Sequence, residues 1–249
     1  MNSQRRVNEA LGGNVTSTNA TARRAGVLYF LFMIVAIYRE FLFPSFMVPT
    51  DATATAHNIS AAELTYRLGI LTSLVTLLLF IFLVVTLHRL FKDVDESHAL
   101  LMVLLVSIGA ALALANLHTK FAPLVLLSGA DYLSVFSKAQ LDAITLGSLR
   151  LHSSGISLTT VFWGLWLFPF GILVIKSGFF PRILGVLLMI AGFAYLTSSV
   201  TSMVWPEYRG VVSGVMMPLY FGEVPIIFWL LIKGAKVPPL RRNPLDGAF

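Results

Sequence analysis

The chain has no cysteine and little charge: of its 249 residues only 12% are Asp, Glu, Lys or Arg, twelve acidic against eighteen basic. Without a thiol there are no disulfides, cysteine nucleophiles or thiolate metal sites. An ordinary soluble domain carries about 25% charged residues, so the charge content excludes that class. Two motifs are also missing. There is no His-Glu-x-x-His run, and no two of the five histidines stand one helical turn apart, so the spacing that seats zinc on a helix face is absent. No basic stripe interleaves with polar sequence in the manner of a nucleic-acid-binding surface. The reading therefore assigns no catalytic residue, metal, cofactor or nucleic-acid partner.

Apolar sequence is what the chain has in quantity. Apolar residues make up 57% of it, and the mean hydropathy is +0.81. A bilayer-crossing helix needs about 20 mainly apolar residues, because a rise of about 1.5 Å per residue must match about 30 Å of hydrocarbon. Six stretches qualify: Ala25 to Phe43, Leu68 to Leu87, Ala99 to Leu117, Ser154 to Ile175, Pro181 to Trp205 and Val211 to Ile232. They are continuously apolar, not alternating as barrel strands are. The fold class expected is all-α, a polytopic transmembrane bundle of about six spanning helices. Residues 22–236 form the membrane domain, between a polar, disordered cytoplasmic tail at 1–21 and a proline-bearing flexible tail at 237–249.

Basic residues orient the bundle. With both termini in the cytoplasm, the inner segments hold Arg5, Arg6, Arg23, Arg24, Arg89, Lys92, Lys176, Arg182, Lys233, Lys236, Arg241 and Arg242, and only six cations lie on the outer side. The positive-inside rule favours that arrangement, with membrane lipid as the natural partner of the net charge of +6. The two longer loops, 44–67 and 118–153, then face outward. In the second, Tyr132, Val135, Phe136, Ala139, Ala143 and Leu146 recur at helical spacing, which predicts an amphipathic helix lying over the outer surface.

Two groups of residues stand out as candidates for function. Glu223 lies near the middle of the last span, where an ionised carboxylate costs several kcal/mol unless paired or hydrated. Pro218 and Pro225 bracket it and break the helical ladder, and such a break is tolerated only against protein or water. Depth counting sets Tyr195 at nearly the same level, with Ser198, Thr201 and Ser202 continuing a polar stripe and Thr160 and Ser107 at comparable depth. The second group gathers at the outer ends of the helices: Arg39, Glu40, Glu63, Arg67, Asn116, His118 and His152, expected to line one polar vestibule with Arg67 close to His152. The reading these support is a non-enzymatic carrier of a small solute or ion, or an accessory membrane subunit, with a small-molecule ligand as a possible partner. The alternative is a membrane-embedded lipid hydrolase, which would need His57, His118 and His152 to converge with Asp131 or Glu207.

Several strings add a resemblance. Arg24-Ala-Gly-Val-Leu-Tyr29, Asn58-Ile59 with Arg67-Leu-Gly-Ile70, His152-Ser-Ser-Gly155 and Phe162-Trp-Gly-Leu-Trp-Leu167 are followed by Ser177-Gly-Phe-Phe-Pro-Arg-Ile-Leu-Gly-Val-Leu-Leu188, and by Gly222-Glu223 leading to Trp229-Leu-Leu-Ile-Lys-Gly234. Over roughly Ala22 to Lys236 the chain resembles a family of bacterial six-helix membrane proteins known as a domain of unknown function. The resemblance implies the same six-helix layout in a bacterial inner membrane. It carries no catalytic assignment.

Overall fold

The computed structural model describes the backbone of residues 2–39 and 43–236, and the side chains of 17–39 and 43–236. The chain forms α1 (Asn2–Ile37), α2 (Ala52–Ala61), α3 (Glu63–Phe91), α4 (Glu96–Leu117), α5 (Ala122–Leu126), α6 (Lys138–Leu165), α7 (Leu167–Ser177), α8 (Arg182–Val204), α9 (Arg209–Tyr220) and α10 (Val224–Phe228), with no strand among the described residues. Six helical stretches are long and apolar enough to cross a membrane: Ser17–Ile37, Glu63–Phe91, Glu96–Leu126, Lys138–Ser177, Arg182–Val204 and Pro206–Lys233. The protein is a multi-pass membrane protein. Backbone at residues 2–21, expected as a disordered tail, continues the first helix from Asn2; the 237–249 tail lies outside the described residues.

The spans close into a ring in chain order. α1 packs on α3, α3 on α4, α4 on α6, α6 and α7 on α8, and α8 on α9, while α10 and the following π turn (Trp229–Lys233) return to α1. One core runs through the middle, with Tyr29, Phe80, Met102, Trp166, Leu188 and Ile226 contributed by the six spans in turn.

Between helices in lipid no hydrophobic difference drives association, so packing depends on close van der Waals approach, which small residues permit. Here glycines face glycines. A Cβ on Gly192 would stand 2.9 Å from the Gly164 carbonyl oxygen, and one on Gly185 2.5 Å from that of Gly171. The α6–α7 and α8 backbones therefore touch at two points seven residues apart on each. A Cβ on Gly26 would collide with the backbone of Leu230 and Leu231, so the same device closes the ring between first and last spans.

Three local features differ from the sequence expectation. The amphipathic segment of the second long loop is not a separate surface helix. A capping box, with Ser137 Oγ accepting from the Gln140 amide and Gln140 Oε1 from the Ser137 amide, starts α6 at Lys138 and runs it unbroken into the fourth span. The separate loop helix is α2, in the first long loop, where Asp51 accepts from the Ala54 amide at 2.8 Å. The fourth span itself is in two parts that meet at Trp166, because Pro169 has no amide to offer the Leu165 carbonyl.

At the opposite end, the short turns are tied together. Gly178, at φ 66°, ends α7 in the left-handed region, and Pro181 precedes α8. Asp95 caps α4 through the His98 amide and accepts Lys176 Nζ at 2.7 Å, joining the two turns. The Lys176 ammonium, helped by His98, holds the Asp95 carboxyl well below the usual carboxylate range.

The glycine contacts predict a position-specific cost. Gly192→Ala and Gly185→Ala will each lose about 1–3 kcal/mol, the usual cost of overpacking. Gly214→Ala, whose Cβ meets nothing within 4 Å, will be neutral or gain up to about 1 kcal/mol in helix propensity. Equilibrium unfolding in mixed detergent measures all three, and equal effects at the three positions would refute close helix approach.

Candidate functional site

The last span is broken where the prolines direct. α9 carries Pro218 and gives way to a 3-10 turn at Phe221–Glu223, in which the Val224 amide bonds the Phe221 carbonyl, the group that Pro225 cannot serve. The turn lies hard against α8: a Cβ on Gly222 would stand 2.5 Å from the Leu187 carbonyl oxygen. That contact aims Glu223 into the ring.

There its carboxyl meets hydroxyls from two other spans. Tyr29, fully buried on α1, donates to Glu223 Oε2, and the Tyr195 hydroxyl on α8 bonds the same carboxyl. Among the described residues no cation pairs with it. The polar chain extends further: the Tyr195 and Tyr220 rings stack with centroids 4.6 Å apart, and Tyr220 shares a 2.5 Å hydrogen bond with Ser198. Around it, Trp166 lies 6.3 Å from Tyr29 and 5.2 Å from Phe80, ring centre to ring centre, and stacks on Phe170. The arrangement is a carboxyl held by neutral donors inside an aromatic wall, able to take up or release a proton without breaking an ion pair.

Of the residues counted to the same depth, Tyr195 reaches Glu223 and Ser198 joins through Tyr220. The others do not. Thr160 bonds the Ile156 carbonyl of its own helix, Ser107 is exposed, and the neighbouring Ser199 ties α8 to the Ser157 carbonyl of α6. Tyr29 was missed because its height along its own helix differs from that of Glu223 by about 4 Å. Counted from the short-turn end, Tyr29 stands seven residues beyond Ala22 and Glu223 nine before Ile232, about 10 and 14 Å deep.

The rim residues divide into two recesses. Arg67 is half exposed and pairs with Glu63 at 2.7 Å; with His118, Leu114 and Phe121 it lines a groove between α3 and α4. His152 and Arg39 line a different recess, which Arg67 does not line. Asn116 belongs with His152: its Nδ2 donates to the His152 carbonyl at 2.9 Å, and its side chain occupies the space left by Gly155. His152 Nδ1 lies 3.1 Å from the Asn116 carbonyl oxygen and 3.1 Å from Thr119 Oγ1. A carbonyl only accepts, so Nδ1 carries a proton. Glu40 lies outside the described residues. Among those described, no three His, Asp or Glu side chains converge as a metal-holding group, and the hydrolase reading finds no assembled site there.

The Tyr29–Glu223 contact can be isolated by a double-mutant cycle. Tyr29→Phe leaves a carboxyl oxygen short of a donor and will cost about 1–3 kcal/mol, whereas the same change made on Glu223→Leu, which has no oxygen to leave short, will cost measurably less. Additive losses in detergent unfolding would show that the two groups do not interact.

Comparison with known proteins gives a family and no activity. A relative described as an uncharacterized protein from Archaeoglobus fulgidus is 33% identical over 113 residues, which span 45% of this chain and 65% of that protein's own length. It is archaeal, whereas the resemblance read from the sequence implied a bacterial source. No solved structure matches the chain. The model of the DUF4386 family, a domain of unknown function, matches residues 24–234, from within the first span to just past the last, and the chain belongs to that family.

Proposed function

We propose that the protein is a carrier of a small solute or ion in the cytoplasmic membrane, with both termini on the cytoplasmic side, and that Glu223 is the group whose protonation couples to transport. One observation carries the reading: the carboxyl sits at a break in its own helix, held by hydroxyls from two other spans, with no cation paired to it among the described residues. A break of this kind is the usual place for ion and substrate groups in membrane carriers, because only there are backbone and side-chain polar groups free of the helical ladder. A purely structural polar anchor would more economically be a neutral residue. Ionisable groups inside membranes are expensive and mark functional paths.

Infrared difference spectroscopy tests this directly. Wild-type protein in lipid, titrated between pH 5 and 9, will show a protonated-carboxyl band that changes with pH and is missing in Glu223→Gln, while Glu223→Gln keeps its helical content and unfolds at a temperature close to wild type. A Glu223 band that does not move across that range would end the coupling role.

The orientation is tested separately. The chain has no native cysteine, so single substitutions Ser3→Cys, Ser97→Cys, Ser134→Cys and Ala248→Cys report cleanly. An impermeant thiol reagent on intact cells will label Ser134→Cys and spare the other three. Labelling at position 3 or 248 without 134 would invert the topology.

A further inference from the structure

Two of the six spans are packed along only half of their length. Buried residues run along α3 from Tyr66 to Phe91 and along α8 from Leu184 to Thr201. On the first span they stop at Tyr29, and every residue from Phe30 to Arg39 is half-buried or exposed. On the last span they begin at Ile226, and α9 buries none of its residues. Helix contacts mark the same boundary. α1 packs on α10 and the π turn, drawn close at Gly26, whereas α9 packs chiefly on α8. Beyond Tyr29 the first and last spans therefore part, over about 12 Å up to Ile37 at about 1.5 Å per residue. Neither bank of this opening carries charge. From Tyr29 to Tyr38 and from Gly210 to Gly222 there is no Asp, Glu, Lys, Arg or His. A molecule dissolved in the membrane meets mainly apolar side chains there, among them Ile34 and Ile37 on α1 and Val215 and Leu219 on α9, all exposed.

The half-buried Glu223, Tyr195 and Tyr220 stand at the base of the opening. The titratable groups facing the carboxyl are Tyr29 on α1 and Tyr195 on α8, with Tyr220 of α9 stacked on Tyr195, and α10 has none. A carboxyl with no paired cation among the described residues, surrounded by aromatic rings, is complementary to positive charge. Cations that lack hydrogen-bond donors are the ones aromatic faces hold best. The apolar groups of such a cation also let it dissolve in lipid and pass between uncharged banks. We propose that the substrate is a lipophilic monovalent cation, of the quaternary ammonium or phosphonium kind, which enters from the membrane between α1 and α9 and binds at Glu223. Binding conserves the charge of the core: the Glu223 carboxyl releases its proton to water, and the carboxylate left behind pairs with the cation. This assigns a substrate class to the proton-coupled role of Glu223 and rests on that reading.

The full-length protein in maltoside detergent is titrated by equilibrium dialysis with tetraphenylphosphonium, with its anionic counterpart tetraphenylborate and with neutral triphenylphosphine oxide. Tetraphenylphosphonium will bind about tenfold or more tightly than either comparator, as a charge interaction in a weakly solvated site allows. Its affinity will rise with pH, and in weakly buffered solution each cation bound will release a proton. Glu223→Gln will weaken it about tenfold or more and abolish the release, whereas Glu96→Gln, at the other end of the bundle, will change neither. The wild-type comparison of cation, anion and neutral compound keeps the test decisive whatever the stability of the Glu223 variant. A benzophenone-bearing triphenylphosphonium will photolabel residues 30–38 or 211–223, and tetraphenylphosphonium will suppress the labelling. Equal binding of the three compounds, or binding that survives in a folded Glu223→Gln, overturns the proposal. Photolabelling confined to other spans overturns entry between α1 and α9. No binding beside a Glu223 infrared band that still titrates sinks the cation and spares the coupling reading. Binding lost in Glu223→Gln yet accompanied by no proton release sinks the coupling reading and leaves the cation site standing.

Discussion

Backbone-to-backbone contact between helices is the constraint on which the molecule rests. In hydrocarbon, water does not reward the burial of apolar side chains, and helices cohere through dispersion at short range. The facing glycines Gly164 with Gly192 and Gly171 with Gly185 bring α6, α7 and α8 to contact, and Gly26 brings α1 onto the last span. Once those approaches are set, the positions of Tyr195, Trp166 and Tyr29 around the axis follow. A ring built this way has little freedom to slide, since each contact is between main chains and not between compliant side chains.

The break in the last span exploits that rigidity. A 3-10 turn frees backbone groups that would be intolerable against lipid, but here it is pressed onto α8 at Gly222. The carboxyl that emerges from the turn is met by two tyrosine hydroxyls. Phenol oxygens are suited to the place. Each carries one donor at the tip of a large apolar ring, so the same residue fills the core and satisfies the acid.

The cations of the described spans keep to the ends of the bundle. Arg39, Arg67 and Lys120 lie at the long-loop end, and Lys176 is bound to Asp95 at the other. Charge and proton chemistry are thereby separated in depth, with fixed positive charge at the level of lipid headgroups and a neutralisable acid within the core. An interior lysine or arginine beside Glu223 would have made an ion pair, which holds a carboxylate charged and opposes any exchange of its proton.

Local composition alone determined the six spans, because each crossing must supply its own length of apolar sequence whatever its neighbours do. The kink-forming roles of Pro218 and Pro225 and the left-handed turn at Gly178 were equally legible, since a missing amide or a missing Cβ acts on the residue that bears it. The Ser137–Gln140 capping box is also written in the chain, and it starts α6 well before the apolar run at Ser154. What tertiary structure decided was which groups meet. Depth counting found Tyr195 but not Tyr29, and it set Ser107 and Thr160 level with Glu223 although neither contacts it, because depth gives height along a helix and says nothing of rotation about it. Rotation is settled by the glycine contacts between helices far apart in sequence. The same reason divided the rim residues, with Arg67 turned to Glu63 on its own helix and His152 held by Asn116 across the α4–α6 interface.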